Sequence, residues 1–341
     1  MRMRTTPVVR RLLLALVLAL LVGPAAVAVP APALAAPNAD DEGGTKKLRD
    51  ALEAAARGHI DAQRKLDASV KRQKQLAGEL GDVEKRLSAL TEQAGALAAR
   101  SYRLGRLGPV TMLLSSGSAE ELLDRVAELE LIAQRDDRAL GALGEARIQA
   151  ATAKQAIDAE VGEQRRQVAV LAQKKRDAER ALATVGGGTS GGFVSVNSPL
   201  AKPAPRNADG SWPSESCSVD DPTTSSCITP RTLHAYQQAR AAGFTRHTSC
   251  HRSGGGGEHP KGRACDFSAA AGGFEDRSAT GGDKTYGDRL AAYFIKNASR
   301  LGVLYVIWYR QIWMPGTGWR SYSGGGSPAA DHTNHVHLSM Y

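Results

Sequence analysis

The aromatic residues of this chain are almost all confined to its last third. Between residues 36 and 190 the single aromatic is Tyr102, whereas all four Trp and all four Cys lie after residue 210. Aromatic side chains supply much of the buried area of an ordinary core, so a stretch of this length without them cannot form a usual globular domain. The 341-residue chain is therefore predicted to divide into a long non-globular part and a globular C-terminal part.

A seven-residue repeat of apolar and small side chains predicts how the aromatic-poor segment folds. The repeat runs without a slip over residues 48–97 and is clean again over residues 143–182. Such a repeat is typical of helices that bury one narrow stripe against each other. Gly105 and Pro109 break the first helix. The pattern predicts an antiparallel coiled-coil hairpin over residues 44–185, with arms roughly 80 Å long.

The composition of the repeat predicts a weak seam between the two helices. Many seam positions are Ala, and His59, Gln73 and Gln164 add polar groups, so each helix is expected to bury little apolar area. Ser118-Ala-Glu-Glu121 is a capping box that predicts the start of the second helix. We expect a marginally stable hairpin that needs a partner or dimerisation.

The segment around the turn also carries a resemblance. Ala99-Arg-Ser-Tyr-Arg-Leu-Gly105, with Leu113-Leu-Ser-Ser-Gly117 downstream, resembles the coiled-coil hairpins of bacterial wall-hydrolase regulators and of some secreted peptidoglycan hydrolases. The resemblance covers roughly residues 44–185. It implies a protein partner that binds through the coiled coil.

The N-terminus has the parts of a secretory signal. Four arginines within the first 11 residues precede the apolar run Leu12–Val22, and Ala33-Leu-Ala35 offers a small-x-small cleavage site. The alternative is a membrane anchor, but a span needs about 20 apolar residues and this run is shorter. We therefore predict a signal peptide over residues 1–35, a secreted, cell-wall-associated protein, and no stable membrane span after cleavage.

The charge balance and the cysteines agree with export. The chain has 44 basic and 35 acidic residues, and four of the basic ones lie in the signal, so the remainder is only mildly basic. This balance suits anionic wall polymers and excludes a strong nucleic-acid footprint. An exported chain with four Cys is expected to form disulfides. Of the three pairings, Cys217–Cys227 with Cys250–Cys265 is favoured because each closes a short loop.

The last part of the chain mixes helical and strand signals. Residues 186–207 are rich in Gly and Pro and predict a flexible linker, which leaves residues 208–341 as the globular domain. Helices and strands do not alternate regularly there, which predicts a small α+β sheet domain and a multidomain chain overall. The predicted elements are a helix from Thr229 to Gly243, a second helix at about 288–301, a buried strand Val303–Trp308 and a short strand ending at Tyr341.

Two segments of this domain carry metal-ligand chemistry. The first is His259-Pro-Lys-Gly-Arg-Ala-Cys-Asp266 and the second is Asp331-His-Thr-Asn-His335-Val-His337. Residues two apart in a strand share a face, so His335 and His337 are expected to point into one site. A His and an Asp from the first segment would complete it. Three N/O ligands and a water are the arrangement of a catalytic zinc site.

The order His-x-x-Gly-x-Ala-x-Asp and then His-x-His resembles a known superfamily. It is shared by lysostaphin-type endopeptidases, D-alanyl-D-alanine carboxypeptidases and the hedgehog amino-terminal signalling domain. The stretch also resembles a C-terminal domain of secreted actinobacterial coiled-coil proteins, in which a Val-Ile-Trp strand precedes His-Val-His. The resemblance spans about residues 210–341.

The resemblance implies specific roles for residues of this chain. His259, Asp266 and His337 would be the zinc ligands. Arg252, in Ser-Cys-His-Arg-Ser, would steady a substrate carboxylate or the oxyanion. The relatives place a Glu a few residues before the last ligand, where this chain has the shorter Asp331; Asp331 or His335 would be the general base.

The last predictions concern His332 and the function of the whole chain. We expect His332 beside the site or at the surface. The leading hypothesis is a zinc metallopeptidase of the D-alanyl-D-alanine carboxypeptidase or endopeptidase type that cleaves peptidoglycan peptides. The alternative is a non-catalytic, zinc-containing protein that binds the wall or regulates a hydrolase through its coiled coil. A purely structural spacer would leave the metal motifs unexplained.

Overall fold

The computed structural model describes residues 43–105, 108–184, 188, 192–193 and 197–341. The predicted signal peptide, and with it the cleavage site, lies outside these residues. Within the described ranges, no helix combines the length and the apolar character that a membrane span requires. The described residues form a long helical region followed by a C-terminal domain of helices and antiparallel sheet, which confirms the predicted layout.

Two long helices pack along each other and form the helical region. The side chain of Thr45 caps the first helix by accepting from the Leu48 backbone N–H at 3.2 Å. Ser118 caps the second by accepting from the Glu121 N–H at 3.2 Å, as the capping box predicts. A short helix lies between them where a simple turn was expected. The bounds are α1 Lys46–Leu104, α2 Gly108–Leu114 and α3 Ala119–Ala183.

Polar pairs occupy part of the seam between α1 and α3. The Gln164 amide donates to Gln73 Oε1 at 2.8 Å, so these two predicted seam residues do meet. Ser69 is fully buried and its hydroxyl donates to Glu160 Oε2 at 2.6 Å. Large apolar side chains are exposed toward the far end of the hairpin, among them Tyr102, Leu114 and Leu131. Buried side chains lie near the base, over residues 48–69 of α1 and at Ala178 and Leu182 of α3, and again in the middle of α3 at Leu143, Ala146 and Ala150.

The C-terminal domain is built on one six-stranded sheet in the order β3-β4-β8-β5-β6-β7, with every neighbouring pair antiparallel. The central strands β4, β8 and β5 are buried along their whole length. The strand bounds are β1 Val219–Asp220, β2 Cys227–Ile228, β3 Thr248–Ser249, β4 Ala264–Ser268, β5 Val303–Trp308, β6 Gln311–Met314, β7 Gly318–Ser321 and β8 His335–Met340.

Three helices lie around this sheet. Thr229 caps the first by accepting from the Thr232 N–H at 3.2 Å, as predicted. The second begins at Gly281, about seven residues before the predicted start. The sequence did not predict this first part, because Gly281 and Gly282 are poor helix formers. This helix also ends at Asn297, so the region predicted as one helix forms two helices. The bounds are α4 Pro230–Ala241, α5 Gly281–Lys296 and α6 Ala298–Leu301.

The two faces of the sheet have different partners. Val306, Trp308 and Leu338 belong to a core that also contains apolar side chains of α4 and α5. The opposite face presents Tyr305 and Ile307, which pack instead against the base of the hairpin. The hairpin members of this second cluster are Leu48, Leu52, Ala55, Ala56, Ala178 and Leu182.

The second half of the predicted linker lies on the domain. Ala201 and Ala204 are buried. The Ala201 N–H donates to Asn297 Oδ1 at 2.8 Å, and the Ala204 N–H donates to the Arg300 carbonyl at 2.8 Å. Asn297, which separates α5 from α6, therefore also holds this segment on the domain. Proline content alone does not distinguish an extended segment that packs on a domain from a free linker.

Candidate metal centre

The three predicted ligands meet in one buried cluster. Asp266 lies in β4 directly opposite His337 in β8, and His259 opens a short 3₁₀ helix, His259–Lys261. His259 Nε2 is 3.1 Å from Asp266 Oδ2, and His337 Nδ1 is 2.8 Å from Asp266 Oδ1. The two ring nitrogens are 3.3 Å apart. One ligand atom from each residue lies within 4.8 Å of the others, which makes the group a candidate metal site.

The outer ring nitrogens of both histidines have their own partners. His259 Nδ1 bonds the Cys250 carbonyl oxygen. His337 Nε2 lies 2.8 Å from Ser339 Oγ. When these outer nitrogens carry the protons, His259 Nε2 and His337 Nδ1 each direct a lone pair at the Asp266 carboxylate. Metal-bound histidines in proteins are oriented by the same kind of outer hydrogen bond.

The chemistry of the donor set fits a divalent metal ion. Two imidazole nitrogens and a carboxylate face one another, and a cation between them would satisfy all three. Ligands of a tetrahedral zinc, each about 2.0–2.1 Å from the ion, lie roughly 3.3 Å apart. The separations of 2.8, 3.1 and 3.3 Å are close to that spacing.

A disulfide and a glycine hold the first motif in place. Cys265 immediately precedes Asp266 and is bonded to Cys250, whose carbonyl bonds His259. Gly262 ends the 3₁₀ helix with φ +67°, and a Cβ there would lie 2.7 Å from Cys217 Sγ. Only glycine fits both the backbone and the space. Both favoured disulfides are present, so the pairing predicted from loop length is confirmed.

The carboxyl group of Asp266 is held in its ionised form. Burial acts to raise the pKa of its carboxyl group, but His259, His335 and Arg252 outweigh that effect and hold the pKa well below its usual value. Arg252 Nη1 donates to Asp266 Oδ2 at 2.7 Å. The predicted anion-steadying arginine therefore lies at the cluster, with 13% of its side chain exposed.

Two further histidines face the same cluster. His335 Nε2 is 3.5 Å from Asp266 Oδ1, and its Nδ1 is 2.7 Å from Asn334 Oδ1. The His332 ring centroid is 4.8 Å from that of His335 and 5.5 Å from that of His337. The Nε2 atoms of His332 and His335 are buried without a hydrogen-bond partner. A buried polar atom without a partner is costly, so both nitrogens are available to a bound group.

Burial keeps these two imidazoles neutral at physiological pH. It lowers the pKa of His335 to about 4 and that of His332 well below its usual value. The nearby carboxylate of Asp266 opposes the effect without cancelling it. His332 Nδ1 lies 3.1 Å from the Ala330 carbonyl oxygen, so the proton is on Nδ1 and Nε2 carries a lone pair.

Asp331 is the one predicted site residue that the fold turns away from the cluster. Its Oδ2 accepts from Arg310 Nε at 2.9 Å, and its Oδ1 accepts from the Gly324 and Gly326 N–H groups at 2.9 and 3.3 Å. The Arg310 bond holds the loop before β8 to the turn between β5 and β6, and the two glycine bonds close that loop on itself. His332, the next residue, has a left-handed backbone conformation with φ 50°. The Asp331 side chain therefore points away from the cluster, whereas the His332 side chain points into it.

Sequence reasoning gave His332 a peripheral place and missed two supporting residues. His332 enters the cluster through its positive φ, which no sequence signal announces. Ser339 follows His337 by two residues on the same face, so strand alternation was an available signal. The Tyr305 ring stacks on His337 with centroids 5.7 Å apart. That contact depends on the pairing of β5 with β8, which local sequence does not specify.

Comparisons with known proteins match only part of the chain. A family model described as VldE, C-terminal domain, matches residues 224–333, about a third of the chain. The matched stretch includes His259 and Asp266 and ends just before His335 and His337. No curated protein and no solved structure matches the chain.

Proposed function

We propose that the C-terminal domain is a zinc-dependent peptidase that hydrolyses amide bonds in peptidoglycan peptides. The observation that carries the proposal is the buried cluster of His259, Asp266 and His337 beside two neutral imidazoles whose Nε2 atoms have no partner. A structural metal site is closed by protein ligands, whereas a catalytic site keeps a position open and places a base beside it. Three protein ligands with two neutral imidazoles beside them support the second arrangement.

In this proposal His259, Asp266 and His337 hold the ion. A bound zinc supplies Lewis-acid polarisation of a carbonyl and lowers the pKa of water toward about 7. Nitrogen and carboxylate donors suit zinc among the common metals. The cysteines are committed to the two disulfides and are not ligands.

His335 is the proposed general base. Its ring is neutral near pH 7 because burial lowers the pKa to about 4, and Nδ1 faces Asn334 Oδ1, so Nε2 carries the lone pair. Nε2 also lies 3.5 Å from Asp266 Oδ1, so it lies beside the carboxylate that would bind the ion. Asp331 already accepts bonds from Arg310 and two backbone N–H groups. We therefore assign Asp331 to loop structure and the proton transfer to His335.

Arg252 and the site surroundings support an acidic peptide substrate. The guanidinium lies at the edge of the cluster and is its partly exposed member. There it can hold negative charge that develops on a substrate carbonyl, or bind a substrate carboxylate. The predicted export signal and the resemblance to wall-acting peptidases favour peptidoglycan stem peptides as the substrate.

The test measures zinc and hydrolysis on the same full-length preparations. Metal content is determined for the wild type and for His337→Ala, and peptides released from purified peptidoglycan are identified by mass spectrometry. Hydrolysis is also measured with Glu53→Arg, which breaks a contact between hairpin and domain (Glu53 Oε2 to Lys261 Nζ, 2.8 Å). We expect about one zinc per chain, and product from Glu53→Arg that disappears when His337→Ala is added to it.

Two further variants, each made in the Glu53→Arg protein, separate the candidate bases. His335→Ala is expected to keep zinc and lose hydrolysis, whereas Asp331→Ala is expected to keep both. Loss of hydrolysis in Asp331→Ala with unchanged thermal stability would return the base role to Asp331. Zinc binding without product from any of these proteins would favour the alternative, a non-catalytic wall-binding module.

A further inference from the structure

We propose that the base of the coiled-coil hairpin is an autoinhibitory cover that closes the metal centre until the hairpin is drawn away. The consequence for activity rests on the proposed function, but the closure itself is a property of the fold. It concerns the start of α1, from the capping residue Thr45 to Arg57, and the sheet face that carries the cluster.

The cover and the cluster share one face of the sheet. Ile307 in β5 and Asp266 in β4 are both direct neighbours of His337 in β8, so the three side chains leave the sheet on the same side. Tyr305 lies on that side as well and stacks on His337. Leu48 and Leu52 of α1 pack in one cluster with Tyr305 and Ile307. The helix thus lies over the strands that hold the metal ligands.

One edge of the cover is fastened to the loop of the first ligand. Glu53 Oε2 is 2.8 Å from Lys261 Nζ, and Glu53 Oε1 is 2.8 Å from Arg263 Nη2. Arg57 Nη2 lies 3.7 Å from Glu258 Oε2. Glu258, Lys261 and Arg263 all lie within four residues of His259. These ion pairs link the helix to the segment that carries His259.

The other edge reaches the loop that precedes the last ligands. A Cβ on Gly43 would lie 2.7 Å from Gly324 Cα, so the two backbones are in contact. Arg49 donates to the carbonyls of Gly43 and Gly44 at 3.1 and 2.9 Å. Its guanidinium also lies against Gly256 of the glycine-rich loop, where a Cβ would be 2.5 Å from Nη2. The start of α1 therefore spans from one site loop to the other.

The result is a centre closed to solvent. His259, Asp266, His332, His335 and His337 are each 0% exposed. A wall peptide is far larger than a water molecule and cannot reach any of them in this arrangement. In this proposal, substrate reaches the centre only when the base of the hairpin leaves the sheet.

The first experiment measures closure without metal and without substrate. Full-length metal-free protein is treated with diethyl pyrocarbonate, and modification of each histidine is followed by peptide mass spectrometry, with the exposed His247 as internal reference. In the wild type we expect the cluster histidines to react at least tenfold more slowly than His247. In Glu53→Arg and Leu52→Asp we expect that protection to fall at least tenfold.

Matched controls lie on the same helix. Asp50→Arg makes the same charge change at a residue that pairs with Lys46 of its own helix, and Val70→Asp makes the same polar change at an exposed position. Both should keep wild-type protection. Adding Lys261→Glu to Glu53→Arg restores an opposite-charge pair and should restore protection.

The outcomes separate the closure from the peptidase proposal. Unchanged protection in both Glu53→Arg and Leu52→Asp would overturn the closure, as would equal loss in the two controls. Exposure of the histidines without any hydrolysis would leave the closure standing and count against peptidase activity. Hydrolysis by the wild type as fast as by Glu53→Arg would support the peptidase and overturn the closure.

Discussion

Ser339→Ala tests whether the hydroxyl beside His337 sets metal affinity. Ser339 is fully buried, and its Oγ lies 2.8 Å from His337 Nε2, the nitrogen that faces away from the cluster. With a metal ion on Nδ1, Nε2 carries a proton and donates it to this oxygen. The substitution removes the acceptor and keeps the ligand, so it isolates the effect of the outer hydrogen bond.

The expected magnitude follows from the buried N–H group that is left without a partner. Such a group costs about 1–3 kcal/mol. Outer hydrogen bonds to metal-bound histidines are typically worth about 10–100-fold in metal affinity, which corresponds to about 1.4–2.8 kcal/mol. The two estimates agree, so we expect Ser339→Ala to bind zinc about 10–100-fold more weakly than the wild type.

The assay is a zinc titration of metal-free full-length protein in competition with a chromogenic chelator. Ser268→Ala is the matched control, because Ser268 is equally buried, lies in the neighbouring strand β4 and bonds the Ala270 carbonyl instead of a ligand. We expect the control to bind zinc as the wild type does. Wild-type affinity in Ser339→Ala, or an equal loss in Ser268→Ala, would refute the reasoning.

Three other predictions concern the stability of the chain. Reduction of Cys250–Cys265, which spans 15 residues, should destabilise the domain by about 3 kcal/mol in denaturant unfolding and weaken zinc binding; unchanged zinc affinity would contradict the second part. Burial acts to raise the Glu53 pKa, but hydrogen bonds with its neighbours lower it to about 2. Its stabilisation is therefore complete above about pH 4.5 and lost toward pH 2, so the Tm difference between wild type and Glu53→Gln should shrink over that range, and a constant difference would argue against it. Replacing both Gln73 and Gln164 by Leu should leave Tm unchanged or raise it, because the half-buried polar pair is removed together. Either single change should lower Tm, because it leaves the other amide without its partner. A lower Tm in the double variant would exclude this explanation. The charged groups that face Glu53 are Arg57, Glu258, Lys261 and Arg263.

Local sequence patterns were enough to predict the helical part and the three residues that meet in the buried cluster. The seven-residue repeat and the Ser118 capping box depend on residues close together in the chain, and both are present in the structure. The spacing of His335 and His337 predicted a shared strand face, and both reach the cluster. The short loops between cysteines predicted both disulfides.

The features that could not be predicted depend on long-range contacts or on backbone conformation. Glu53 and Arg263 are 210 residues apart in sequence, and no periodicity relates them. Asp331 has the right type and spacing for a base, but Arg310 and two glycine N–H groups bind its carboxylate. His332 joins the cluster only because its φ is positive.

The most direct test of the account is peptide release from purified peptidoglycan by zinc-loaded full-length Glu53→Arg, measured beside the same protein carrying His337→Ala. We predict stem-peptide fragments from the first protein and none from the second, with both chains folded and both disulfides intact. Equal release from the two proteins, or none from the first at full zinc occupancy, would contradict a zinc peptidase centred on His259, Asp266 and His337.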